Sequence, residues 1–137
     1  LTDFGITGER IEGAIGVWVA ERDWAPALRR DLADAGVQTA SGTEASRQNK
    51  IAALGARIEQ WIAYHGFALN VQPNLHHFDL IVPCGIRDRG ITSMQAELGS
   101  AVSMKNVRER VAEHFAEVFA VSLCPMDLPS LLAQLET

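Results

Sequence analysis

The 137 residues are 47% hydrophobic and carry 12 Lys+Arg against 17 Asp+Glu, a net charge of −5. That is enough apolar material for the core of one ordinary domain, and the acidic balance argues against a nucleic-acid surface while leaving a protein partner open. No 18-residue apolar run and no export-signal pattern occurs, so neither a membrane span nor secretion is expected.

Taken in chain order, residues 1–8 are a short lead-in without a clear cap. Glu12-Gly13-Ala14 then leads into Ile15-Gly16-Val17-Trp18-Val19. Val17 and Val19 share one face of this predicted strand and Trp18 takes the other, a bulky side chain that must find cover. Leu28, Leu32 and Ala35 recur at helical spacing and Gly36 stops them, which predicts a short surface helix over 25–35. The following QTASGTEASRQN is polar and reads as a mobile loop, so that 21–49 together read as a surface insertion.

Residues 50–58 and 67–71 read as paired strands, with 59–65 turning or continuing between them. Lys50 opens KIAALGARI, a segment too apolar for a solvated loop. Its stem could lie along apolar surface with the charge in water, or its ammonium could be held beside a functional group. The small residues in Ala53-Leu54-Gly55 leave room for a long apolar chain between strands, and His65-Gly66 marks a bend or a close approach of backbone or ligand; simple crowding between strands would explain the glycines equally. Pro73-Asn74 starts a short helical turn. The nearby His76, His77 and Asp79 are not expected to hold a metal, because adjacent histidines project differently and no further cluster completes a shell.

Leu80-Ile81-Val82 reads as a buried strand that ends on a Pro83-Cys84-Gly85 turn. Cys84 is open to three readings: an inert buried thiol, a nucleophile whose oxyanion meets the backbone N–H groups of the turn, or a metal or redox residue. If Lys50 lay near it, the ammonium would favour the thiolate and draw the thiol down from its usual value of roughly 8.5; the same amine could instead take the thiol proton and later return it. Cys124, before Pro125, reads as structural. Two cysteines make no disulfide framework, and a free thiol nucleophile suits a reducing compartment such as the cytoplasm. Arg87-Asp88-Arg89-Gly90 is a charged turn. Thr92 or Ser93 caps a short helix that Gly99 ends, and Ser103 caps a longer one in which Val107, Val111, Phe115 and Val118 form an apolar stripe expected to lie on the sheet. Pro125 and Pro129 close that element, before a short terminal helix around Leu131, Leu132 and Leu135.

Five ordered motifs together resemble the lipoyl/octanoyl transferase family of lipoate biosynthesis. They are K-I-A-A-L-G-x-R-I from Lys50, H-G-F-A-L-N-V from His65, N-L-x-x-F from Asn74, I-V-P-C-G-I from Ile81, and G-I-T-S with a following E-L-G from Gly90. The likeness runs from about Phe4 to Gly99. It implies an α/β domain with a mixed sheet covered by helices, similar to the biotin/lipoate protein ligases. It further implies that Cys84 carries an octanoyl group as a thioester, that Lys50 lowers the pKa of that thiol, and that Ala53, Leu54, Gly55, Gly66, Phe67 and Ala68 line the acyl pocket. No cofactor is implied. The implied donor is octanoyl-acyl carrier protein, for which the arginines of the charged turn would suit an acidic partner, and the acceptor is a lysine of a lipoyl domain of 2-oxoacid dehydrogenases or of the glycine cleavage H protein.

The family also has an arginine-glycine-glycine stretch and a histidine-glycine-proline-glycine stretch in an upstream half, and neither occurs in these residues. Residues 1–137 are therefore expected to be a partial catalytic domain, incomplete at its N-terminal side, whose acyl pocket and sheet edge would be completed by a missing segment or by self-association. Three other functions stay open. A lipoate-type ligase would need an ATP site, another cysteine acyltransferase or thioesterase would share Cys84 but differ in product, and a non-catalytic or partner-dependent fragment would keep only the fold.

Overall fold

A computed structural model describes residues 1–20, 48–81 and 89–135. The helix expected over 25–35, the polar stretch after it, and Cys84 lie outside the described residues. The chain divides into two compact units, Leu1–Val102 and Ser103–Thr137.

The first unit is a mixed α/β fold. After a 3₁₀ turn at Thr2–Phe4 come strands β1 (Glu9–Ile11), β2 (Ala14–Ala20), β3 (Gln48–Glu59) and β4 (Ile62–Leu69), a 3₁₀ helix (Leu75–Leu80), strand β5 (Gly90–Ile91) and helix α1 (Met94–Leu98). The strands pair antiparallel in the order β1-β2-β3-β4, and β5 adds parallel to the start of β3. The first residues of β3 therefore have neighbours on both sides, β2 on one and β5 on the other. Around this crossing sits the core: Ile6, Trp18, Val19, Ile51, Ala52, Val71, Met94 and Val102 are buried. The strand expected around Trp18 forms, and the bulky side chain finds its cover there. Asn70, just past β4, ties the crossing together. Its N–H donates to Ile51 O (2.9 Å), its side-chain amide donates to Thr92 O (3.0 Å), and its carbonyl accepts from Met94 N (2.8 Å).

One reading of the sequence is resolved and another needs correction. The segment 59–65 is largely strand: β3 and β4 run on to a two-residue turn at Gln60-Trp61, both at positive φ (50° and 65°), and His65 lies within β4 at φ 85°. This is the tight hairpin turn whose backbone twist matches that of the flanking strands, although its usual residues are Asn and Gly. The run at Leu80-Ile81 is no buried strand, because Leu80 ends the 3₁₀ helix, Ile81 is its extended C-cap, and both are exposed. Asn74 initiates that helix by accepting from His76 N (3.1 Å), and the capped turn uses the backbone that a strand would need. Two short strands, β1 and β5, have no counterpart in the expectations. The short helix behaves as its caps predict, with Ser93 Oγ accepting from Ala96 N (3.2 Å) and Gly99 closing it in the left-handed conformation (φ 67°).

In the second unit, α2 (Met104–Phe119) starts at Ser103, whose Oγ accepts from Asn106 N (3.3 Å), and ends on Ala120 at φ 51°. Helix α3 (Leu128–Leu135) begins after Asp127, whose carboxylate accepts from Ser130 N (2.9 Å). Hydrogen bonds from the Ser130 side chain and then its backbone hold the Asp127 carboxyl below its ordinary range. Pro129 stands in the first turn of α3, where its missing N–H costs nothing, and so opens this helix instead of closing the previous one. Cys124 is exposed, with only a weak contact from its sulfur to Pro125 O (3.9 Å), which overturns its reading as a structural residue.

Candidate functional site

Lys50 lies where β2, β3 and β5 meet. Its Cα is paired with Trp18 across β2 and with Ile91 across β5, and its carbonyl accepts from Thr92 N (3.0 Å). The Trp18 pairing depends on a register shift. Val17 stands opposite Ala52 and the next residue, Trp18, opposite Lys50, so Ile51 is the extra residue on β3. A regular ladder would set Trp18 against Ile51; the irregularity re-aims the lysine toward the indole.

The side chain is buried (7% exposed) and its Nζ lies 4.8 Å from the centroid of the Trp18 ring. Such a contact contributes on the order of 2 kcal/mol when desolvated, since the ring face is the negative end of the aromatic quadrupole. Trp18 is itself fixed, its Nε1 donating to Ala14 O (3.1 Å). Beneath the lysine stem lies Gly16 at φ +135°. A Cβ there would come 3.1 Å from Lys50 Cε and 2.7 Å from Ala52 O, so glycine alone leaves the stem its path.

A second cation shares the ring. Arg89 Cζ is 4.9 Å from the Trp18 centroid, and Arg89 Nη1 is buried without a hydrogen-bond partner. The arginine read as part of a charged turn is half-buried, and the two residues after it are held in β5 beside Lys50. Behind β5, Thr92 Oγ1 donates to the buried Glu97 carboxylate.

The six residues assigned to an acyl surface are brought together. Along β3 and β4, Ala53 opposes Ala68, Leu54 opposes Phe67, and Gly55 opposes Gly66. Directly opposed residues share a face, so the alanine and glycine pairs form a small-residue track on one side and Leu54-Phe67 an apolar pair on the other. The track begins three residues, or about 10 Å, beyond Lys50. Ala53 is half-buried and the other five are exposed. His76 and His77 lie on the 3₁₀ helix, where His76 Nδ1 meets the Asp79 carboxylate at 3.3 Å. Cys84 belongs to the stretch outside the described residues, 82–88, which ends just before Arg89.

Trp18, Gly16 and Arg89 were missed as parts of this cradle. A tryptophan in a strand signals a need for cover, but its partner across the sheet is fixed by a one-residue irregularity that no spacing rule contains.

This chain belongs to the lipoyl protein ligase A/B catalytic domain family, whose pattern matches residues 1–116. It is similar to the octanoyltransferase of Dinoroseobacter shibae, with 40% identity over 119 residues covering 87% of this chain and 47% of that protein. A comparable match is the octanoyltransferase of Rhodospirillum rubrum, 39% identical over 127 residues, or 93% of this chain and 47% of the relative. The octanoyltransferase of Myxococcus xanthus is 44% identical over 119 residues, 87% of this chain and 28% of its own length. The chain thus spans about half, or less, of the length of these relatives.

Proposed function

We propose that this chain supplies the thiol and lysine of a cysteine-dependent octanoyl transfer in lipoate biosynthesis. The observation that carries the proposal is the buried Lys50 ammonium about 10 Å along the strand from the Ala53-Gly55/Gly66-Ala68 track, a small-residue surface that suits an alkyl chain. The octanoyltransferase relatives supply the reaction class. In this reading Cys84 attacks the carbonyl of an octanoyl thioester on acyl carrier protein, the tetrahedral oxyanion collapses, and the carrier's thiol leaves with a proton. A lysine amine of a lipoyl domain then attacks the Cys84 thioester, forming the amide and returning the thiol. Lys50 stabilises the thiolate or exchanges the proton in both halves. The cytoplasm, where thiols stay reduced, is the proposed compartment.

The chain is incubated with octanoyl-acyl carrier protein and weighed intact. Addition of one octanoyl group that is lost in Cys84→Ser and kept in Cys124→Ser is the expected result; a group that persists in Cys84→Ser and maps to Cys124 rules the assignment out. Lys50→Ala should slow iodoacetamide alkylation of Cys84 near neutral pH by roughly tenfold, the consequence of a lower thiolate fraction.

A second reading is favoured by exposure, since Gly55, Gly66 and Ala68 of the track are exposed. Here the track holds an alkyl chain only when further polypeptide covers it. Enclosing each CH₂ is worth about 0.8 kcal/mol, so an open track forfeits several kcal/mol of octanoyl binding. Steady-state transfer by the chain alone, compared with the chain plus an upstream fragment bearing the two glycine-rich motifs, separates these readings. Equal rates would remove the second.

A further inference from the structure

The Lys50 cradle solves a particular problem: how to hold a buried ammonium still without neutralising it. A carboxylate would fix the lysine firmly, but it would also consume its N–H donors and cancel its field at any group it is meant to serve. An aromatic face attracts the cation and carries no net charge. Among the described residues, Lys50 Nζ meets the ring of Trp18 and joins none of the ion pairs. Arg89 occupies the same ring under the same condition, with Nη1 buried and unpartnered. Two cations held 4.8 Å and 4.9 Å from one indole lie within about 10 Å of each other, close enough for their fields to add with little screening in a buried site.

We infer that Trp18 is a positioning residue for Lys50, an uncharged platform that fixes the ammonium while leaving its charge and donors free for the reacting thiol, with Arg89 reinforcing the positive field from the same ring. The inference deepens the proposed function and rests on its reading of Lys50. Three features tie the arrangement to position over simple filling of space. The register shift at Ile51 turns Lys50 to Trp18, Gly16 clears the path of the lysine stem, and the Ala14 carbonyl locks the indole through Nε1. A tryptophan retained only for volume would need none of the three.

The test uses the full chain carrying Trp24→Phe and Trp61→Phe, so that position 18 holds the sole tryptophan. Lysine labelled at Cε reports whether Lys50 sits on the ring, through the upfield ring-current shift of its protons, assigned by loss of the signal in Lys50→Arg. The shift should persist in Trp18→Phe and vanish in Trp18→Leu. An unchanged shift in Trp18→Leu overturns the inference. Should Trp18→Leu fail to fold, singly, doubly and triply fluorinated tryptophan weaken the ring face at nearly constant size. Reductive methylation of Lys50 should then quicken stepwise, by about threefold or more for the triply fluorinated ring, at an unchanged melting temperature. A flat series overturns the inference. Alkylation of Cys84 should slow along the same series. If Lys50 follows the ring but Lys50→Ala leaves Cys84 alkylation unaltered, Trp18 still positions the lysine and it is the reading of Lys50 as the partner of the thiol that fails.

Discussion

Lys50 is 7% exposed and Ile58, further along the same strand, is 72% exposed. A charged side chain lies inside while a branched aliphatic one lies outside, and their difference is neighbourhood. The first residues of β3 are flanked by β2 and β5 and meet the core of Ile6, Trp18 and Met94; beyond Ala52 the strand, among the described residues, pairs only with β4, as a two-stranded arm. Strand burial is thus decided by what stands beside and above each residue, with hydropathy contributing only once cover exists. In the sheathed half, a lysine is kept by an aromatic platform. In the bare half, Leu54, Ile58, Ile62 and Phe67 are available to whatever covers them.

The largest expected effect tests that contrast directly. Ile51→Ala removes a fully buried side chain and should cost about 2–5 kcal/mol in urea unfolding, whereas Ile58→Ala should change stability by no more than about 0.5 kcal/mol. Equal losses would mean that the arm is covered in solution and that the two halves of β3 do not differ. A smaller effect is expected at the arm's tip. Gln60 and Trp61 both adopt positive φ, and Trp61 is 99% exposed, so replacing the pair with Asn-Gly removes conformational strain and loses no packing. A gain of about 1 kcal/mol in the same unfolding measurement is expected; a loss would show that the Trp61 side chain is engaged.

Much of the fold was legible where local chemistry decides it. Ser93, Gly99 and Ser103 end or begin helices because caps act within a few residues. The Trp18 strand follows from alternation and the pairing of 50–58 with 67–71 from their mixture of small and β-branched residues, whereas the grouping of Ala53-Gly55 with Gly66-Ala68 was implied by the family resemblance. Leu80-Ile81 misled because a short apolar run has no period long enough to separate strand from helix end, and the Asn74 cap outweighed it. The Lys50 cradle was illegible for a different reason: Gly16 and Trp18 are distant in sequence from Lys50 and from Arg89, and one extra residue in β3 determines who faces whom.

The smallest effect concerns Tyr64, the one tyrosine of the chain, which makes its titration directly assignable by ultraviolet absorbance. Its hydroxyl donates to Glu59 Oε2 (2.8 Å), and that bond, followed by desolvation, raises the phenol above its ordinary value. Because the folded value is raised, the contribution of the bond is fully present below the ordinary phenol range and is lost as pH rises through the folded value. Glu59→Gln should move the titration back toward the ordinary value. An unmoved titration would mean that the arm does not hold these two side chains together in solution.

The way Lys50 is housed also has a consequence for the order of assembly. The β3-β4 arm is joined by a two-residue turn, so its pairing requires closure of a very short loop, whereas Trp18 and Ile91 reach Lys50 only after long stretches of chain have been drawn in. Short closures precede long ones because the entropy of the intervening chain must be lost before the contact repays it. The lysine is consequently still hydrated while the arm is forming, and loses its water only when the strands on either side arrive. A nascent chain would in this way keep its most electrostatically demanding residue in solvent until the framework able to hold it was nearly complete.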